Sequence, residues 1–177
     1  MYAHALDRFA RVIDDVNTRV GKAVSWLYPL LMIVIVFNVV LRYVFSRGSI
    51  ELEEIQWHLY AAGFLLGFAY TYVDDAHVRV DFIYASMSER KKAFVDLFGC
   101  LFLLLPFAGF LVYYSVPYFL ESWAFNERSE MPSGLPARYV IKGILVIGFA
   151  LLFLQGVSVV IRKVLFLAGY PTREVRR

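Results

Sequence analysis

The chain offers three imidazoles (His4, His58 and His77), one thiol (Cys100) and fifteen carboxylates. Two imidazoles on facing helices are what a membrane b-type haem wants. His58 sits near one end of an apolar stretch, whereas His77 lies in the polar loop beyond its other end and His4 near the N-terminus. That placement disfavours haem. Cys100 has no partner for thiol exchange, and a lone cysteine in an apolar run behaves as a small hydrophobe. A small proton-coupled exporter relies on a carboxylate inside its bundle, yet the midsections of the apolar stretches contain no Asp, Glu, Lys or Arg. The carboxamides well inside them are Asn38 and Gln155, which suit hydrogen bonding between helices, a gain of ~1 kcal/mol. Gly63 and Gly67 fall at small-xxx-small spacing, which lets helices approach closely. These are groups for holding helices together rather than for a reaction.

The elements that carry them are membrane spans. Hydrophobic residues make up 60% of the chain, against about 45–50% in soluble domains. A bilayer core needs about 20 apolar residues in helix, and four stretches supply them: about 23–45, 55–73, 93–120 and 140–167. The last two exceed a perpendicular crossing, which predicts tilt or protrusion into the headgroups. Pro29, Pro106 and Pro117 are candidate kinks. The expected fold is an all-α integral membrane protein forming a single membrane domain over residues 1–177.

Lys and Arg set the orientation. Arg8, Arg11, Arg19, Lys22, Arg79, Arg90, Lys91, Lys92, Arg162, Lys163, Arg173, Arg176 and Arg177 fall on one side of a four-span chain; Arg42, Arg47, Arg128, Arg138 and Lys142 fall on the other. The richer side is cytoplasmic, so both termini are expected there. The net charge of +3 then reads as a topological signal in contact with anionic lipid, not as a nucleic-acid footprint. Asp7, Asp14 and Asp15 precede the first apolar run, and no small-residue cleavage site follows it. That span is expected to be an uncleaved anchor.

Outside the spans, residues 3–22 are amphipathic. Leu6, Phe9, Ile13, Val16 and Val20 recur at helical spacing, while Asp7, Arg8, Arg11, Asp14, Asp15, Thr18 and Arg19 fill much of the rest. This arm is expected to lie in the cytoplasmic interface; the alternative is a straight extension of the first helix into water. Gly48-Ser49 turns the chain between the first two spans, and Glu51, Glu53 and Glu54 open the second, where carboxylates suit the helix dipole. Arg42 shares a face with Asn38; either Glu53 or Glu54 pairs with it across the hairpin, or all of them meet another subunit. The second outer loop, about 121–137, carries Glu121, Glu127, Arg128 and Glu130 among Pro132, Gly134 and Pro136. Arg42, Arg47, Glu53, Glu54, Glu127, Arg128 and Glu130 are the candidate partner contacts; Asn38, Gly63, Gly67 and Gln155 are the candidate packing residues. Ser86-Met87-Ser88-Glu89 reads as the start of the third helix.

Several pieces, in order, resemble the small membrane subunit of tripartite ATP-independent periplasmic (TRAP) transporters. Asn38-Val39-Val40-Leu41-Arg42-Tyr43-Val44-Phe45 is similar to the family's Arg-aromatic ending of helix one, and Glu53-Glu54 to its acidic pair. Gly63 and Gly67 follow, then His77-Val78-Arg79-Val80-Asp81, similar to a His-x-x-Val-Asp signature, and Gly134-Leu135-Pro136 before the last helix. The likeness runs over about residues 25–160. The family often has a Trp before the acidic pair where this chain has Ile50-Glu51-Leu52, so the family's contacts for that loop are not carried over to this chain. The resemblance implies a non-catalytic scaffold in the bacterial inner membrane. It would support a large polytopic transport subunit that takes up small organic acids, driven by sodium bound on that subunit. A periplasmic substrate-binding protein would deliver them. It implies no cofactor in this chain. The competing readings are a membrane anchor of a redox enzyme, with haem or quinone near His58, and a self-contained small transporter.

Overall fold

A long apolar run can satisfy all of its backbone groups internally as a helix. The computed structural model of the chain, which describes residues 2–73 and 86–170, is helical with no strand among the described residues. Its helices are α1 (Tyr2–Val24), α2 (Leu27–Val44), α3 (Ile50–Val73), α4 (Glu89–Gly99), α5 (Leu105–Ala124) and α6 (Tyr139–Leu167); a π-helical turn, Cys100–Leu104, joins α4 to α5. Three helical stretches are long and apolar enough to cross a membrane: Ala3–Val44, Glu89–Ala124 and Tyr139–Leu167. Helix α3 has 24 residues but opens with Glu51, Glu53, Glu54, Gln56 and His58, which makes its first two turns polar.

Proline explains two interruptions. Pro29 has no N–H, so the Ser25 carbonyl takes the Tyr28 N–H at 3.3 Å instead, and the ladder tightens into the turn between α1 and α2. Pro106 likewise cannot donate to the turn below it, and there the ladder widens, with the Leu105 N–H reaching back to the Cys100 carbonyl. At the far end of α5, Asn126 adopts a left-handed φ of 47°. The Glu127 N–H then bonds the Ser122 carbonyl at 3.0 Å and the Asn126 N–H the Trp123 carbonyl at 3.1 Å, capping the helix. Helix α4 starts at Glu89 with Ser88 as its N-cap, slightly later than the Ser86 motif suggested.

Helix α6 is the hub, touching α1, α3, α4, the π turn and α5, whereas α2 leans on α3 and meets only the near end of α1. Gly148 allows the α3–α6 contact: a Cβ there would lie 2.7 Å from the Leu65 carbonyl oxygen. Helix α1 buries Ala10, Ile13, Asp14, Asn17 and Gly21, and leaves Phe9 and Val16 exposed. Asp14 is therefore an inward residue rather than part of the outer surface, because α6 supplies it with hydrogen-bond donors and a cation.

Candidate functional site

The charged and polar residues gather at the two ends of the bundle. At the hairpin end, Arg42 Nη2 meets Glu53 Oε1 at 2.7 Å, with both side chains about half exposed. An exposed pair of this kind contributes roughly 0–1 kcal/mol, so it orients the α2–α3 turn more than it stabilises it. Glu54, one residue on, accepts the Ser129 hydroxyl and the Leu135 N–H, the latter at 2.6 Å, and so ties the 125–138 connection to the start of α3. Those two donors, the Ser129 hydroxyl first, hold the Glu54 carboxyl below its usual range. Gly134 is needed at this junction, since a Cβ would fall 2.3 Å from Ser129 and 2.9 Å from Glu54 Oε1.

Glu127 pairs with Lys142 at the start of α6, and the Lys142 ammonium lies 3.8 Å from the centroid of the Tyr118 ring. The lysine hydrogen bond is the main cause holding the Glu127 carboxyl low. Arg47, Arg128 and Glu130 are exposed and have no ion-pair partner among the described residues. The seven candidate contacts thus fall into two kinds. Glu54 and Glu127 are joined to other segments of the chain, while Arg47, Arg128 and Glu130 point outward, as does the Arg42–Glu53 pair.

Toward the opposite end, Gln155 of α6 faces α1. It accepts from Asn17 Nδ2 at 2.7 Å and donates through Nε2 to Asp14 Oδ1 at 3.0 Å. Ser158 Oγ lies 2.8 Å from the same Asp14 oxygen and 3.1 Å from the Ala10 carbonyl, so its one proton serves one acceptor at a time. Arg162 pairs with the other Asp14 oxygen. A second tie links Lys163 to Asp96 at 2.9 Å, bracing α6 against α4. Cys100 is buried, and its thiol donates to the Gly156 carbonyl at 3.3 Å.

Gln155 therefore bonds across helices, as its type suggested. Asn38 is buried on α2, but its Oδ1 has no hydrogen-bond partner among the described residues. Gly63 packs against Tyr28, where a Cβ would lie 3.1 Å from Cζ, whereas a Cβ on Gly67 would meet nothing within 4 Å. The two glycines do different things. Sequence reasoning places Asp14 on the arm's polar surface and Arg162 among the orienting charges, and does not single out Asn17 or Ser158. The signal was available: Ala10, Asp14, Asn17 and Gly21 form a small and polar stripe at helical spacing beside the apolar one. His58 Nδ1 lies 2.7 Å from the Glu54 carbonyl in its own helix. No cluster of three metal-ligating side chains occurs among the described residues. The His77–Asp81 motif lies outside the described residues.

A family model described as "Tripartite ATP-independent periplasmic transporters, DctQ component" matches residues 31–166, from α2 to the end of α6. The chain belongs to this family. It is accordingly a membrane component of a TRAP transporter, and the resemblance noted over residues 25–160 rests on the same region. The DctQ match takes in Gln155, Ser158 and Arg162 but begins after α1, so the network joins a family helix to an arm outside the matched segment. No curated protein and no solved structure matches the chain.

Proposed function

We propose that this DctQ-family chain is the non-catalytic scaffold subunit of its transporter. It crosses the bacterial inner membrane four times, through α2, α3, α4–α5 and α6, with both termini in the cytoplasm. It braces a large polytopic subunit that carries small organic acids by sodium symport, fed by a periplasmic substrate-binding protein. Substrate and sodium sites belong to those partners.

One observation carries the scaffold reading. Four pairs of charged groups beside the apolar segments join different parts of the chain: Arg42–Glu53, Lys142–Glu127, Arg162–Asp14 and Lys163–Asp96. Charges that bind and release an ion or substrate are instead held ready along a polar pathway inside the bundle. Pairing at helix ends suits a rigid brace.

The test is uptake in proteoliposomes containing the large subunit and binding protein, with and without this chain. Uptake is expected only with all three, and the large subunit should co-purify with this chain. Full uptake and an equally stable large subunit without it would overturn the proposal.

A further inference from the structure

Helix α1 has three faces, and only one of them meets the bundle. The first, Ala10, Ile13, Asp14, Asn17, Gly21 and Val24, is buried. The second, Phe9, Val12 and Val16, is apolar and about half exposed, at 50%, 55% and 44%. The third carries Arg8, Arg11, Asp15, Arg19 and Lys22, all exposed. Sorting apolar from charged residues around one helix in this way fits a boundary between oil and water, along which both outer faces are satisfied at once.

The charge on the third face is not neutralised among the described residues. Asp14 is turned inward onto Arg162, and Asp7 pairs with Arg11 at 3.0 Å. Arg8, Arg19 and Lys22 have no acidic partner among the described residues, and on α1 itself Asp15 is the carboxylate left to offset them. Arg19 borders the apolar face, so its stem can lie along Val12 while its guanidinium reaches out to water. Trp26, 73% exposed at the turn after α1, is the residue type favoured at the headgroup level. The Asp14–Gln155–Ser158–Arg162 network stops α1 from rolling, because any rotation would strip a buried carboxylate of its donors.

We infer that α1 is a locked, lipid-reading strut. Its Phe9–Val12–Val16 face rests on acyl chains, and Arg8, Arg19 and Lys22 bind the phosphates of anionic phospholipids in the leaflet on the cytoplasmic side. This rests on the proposed cytoplasmic placement of the termini and adds a lipid partner to the scaffold.

The test uses the full chain in nanodiscs of mixed phosphatidylglycerol and phosphatidylcholine, on a Cys100→Ala background. Spin labels on Val12→Cys and Val16→Cys are expected to be open to oxygen and shielded from an aqueous nickel chelate, and one on Asp15→Cys the reverse. Native mass spectrometry should show phosphatidylglycerol enriched over phosphatidylcholine. The triple variant Arg8→Gln, Arg19→Gln, Lys22→Gln should lower that enrichment by about tenfold or more with helix content unchanged. Nickel access at Val16, shielding from both reagents as in a protein interface, or unchanged enrichment in the triple variant would each overturn the inference. Co-purification of the large subunit is read in parallel. If it persists while α1 fails these tests, only the lipid inference falls; if it is lost with the unmodified chain, the scaffold reading falls.

Discussion

Asn17 and Gln155, 138 positions apart, meet through a 2.7 Å hydrogen bond from Nδ2 of one to Oε1 of the other. The contact fastens the N-terminal helix to the hub helix of the bundle, and Gln155 passes it on to Asp14 at 3.0 Å. A carboxamide serves here because it donates and accepts together. No aliphatic side chain of similar size could satisfy both neighbours.

Replacing Gln155 by Leu keeps the volume and removes both functions. The buried Asn17 amide and one Asp14 oxygen each lose a partner, which costs about 1–3 kcal/mol per group. Thermal unfolding in detergent should show a lower Tm, and Asn17→Ala combined with Gln155→Leu should cost less than the two single changes added together. Strict additivity in that double-mutant cycle would mean the bond carries no energy.

Gly148 and Gly67 should respond oppositely to the same substitution. Alanine at Gly148 drives a Cβ to 2.7 Å from the Leu65 carbonyl, while alanine at Gly67 meets nothing within 4 Å. Separating α3 from α6 costs about 1–3 kcal/mol by overpacking. Gly67→Ala should leave Tm unchanged or slightly raised. Equal effects at the two sites would contradict the close helix approach.

Glu54 makes the hairpin-end loop sensitive to acid. Its carboxyl titrates below the ordinary 4.5 in the folded chain because Ser129 and Leu135 donate to the ionised form. The unfolded state takes up the proton first as pH falls. The stabilisation is therefore complete above the ordinary value and disappears as pH drops through the depressed one. Hydrogen exchange of the 129–136 segment should speed up across that acid window, and Glu54→Gln should remove most of the dependence. An unchanged exchange profile in the variant would refute the tie.

Charge reversal should separate folding from docking among the candidate contacts. Glu54→Lys and Glu127→Lys break bonds that hold the loop, so both should lower Tm. Reversals at Arg47, Glu53, Arg128 and Glu130 touch exposed groups and should change stability by only about 0.5 kcal/mol. Their effect should appear as weaker capture of the large subunit or of the binding protein. If reversals at these outward positions leave both assembly and uptake intact, the outer face is not a docking surface.

The sequence alone carried the helical class and close approximations to the long apolar elements, because length and hydropathy are local quantities. That Arg42 has a carboxylate within reach across the short turn was legible as one option for a similar reason, and the structure chose Glu53 over Glu54. The π turn before Pro106 was less so, since a proline permits a kink without stating whether the ladder tightens, as at Pro29, or widens. What only the tertiary structure decided is which polar residues face inward. Asp14 looks like any surface carboxylate until Gln155, Ser158 and Arg162 arrive from the far end of the chain to satisfy it. Glu54 and Glu127 looked like outward contacts until Ser129, Leu135 and Lys142 closed on them. Burial of a charge depends on partners brought by packing, and no spacing along one helix reveals them.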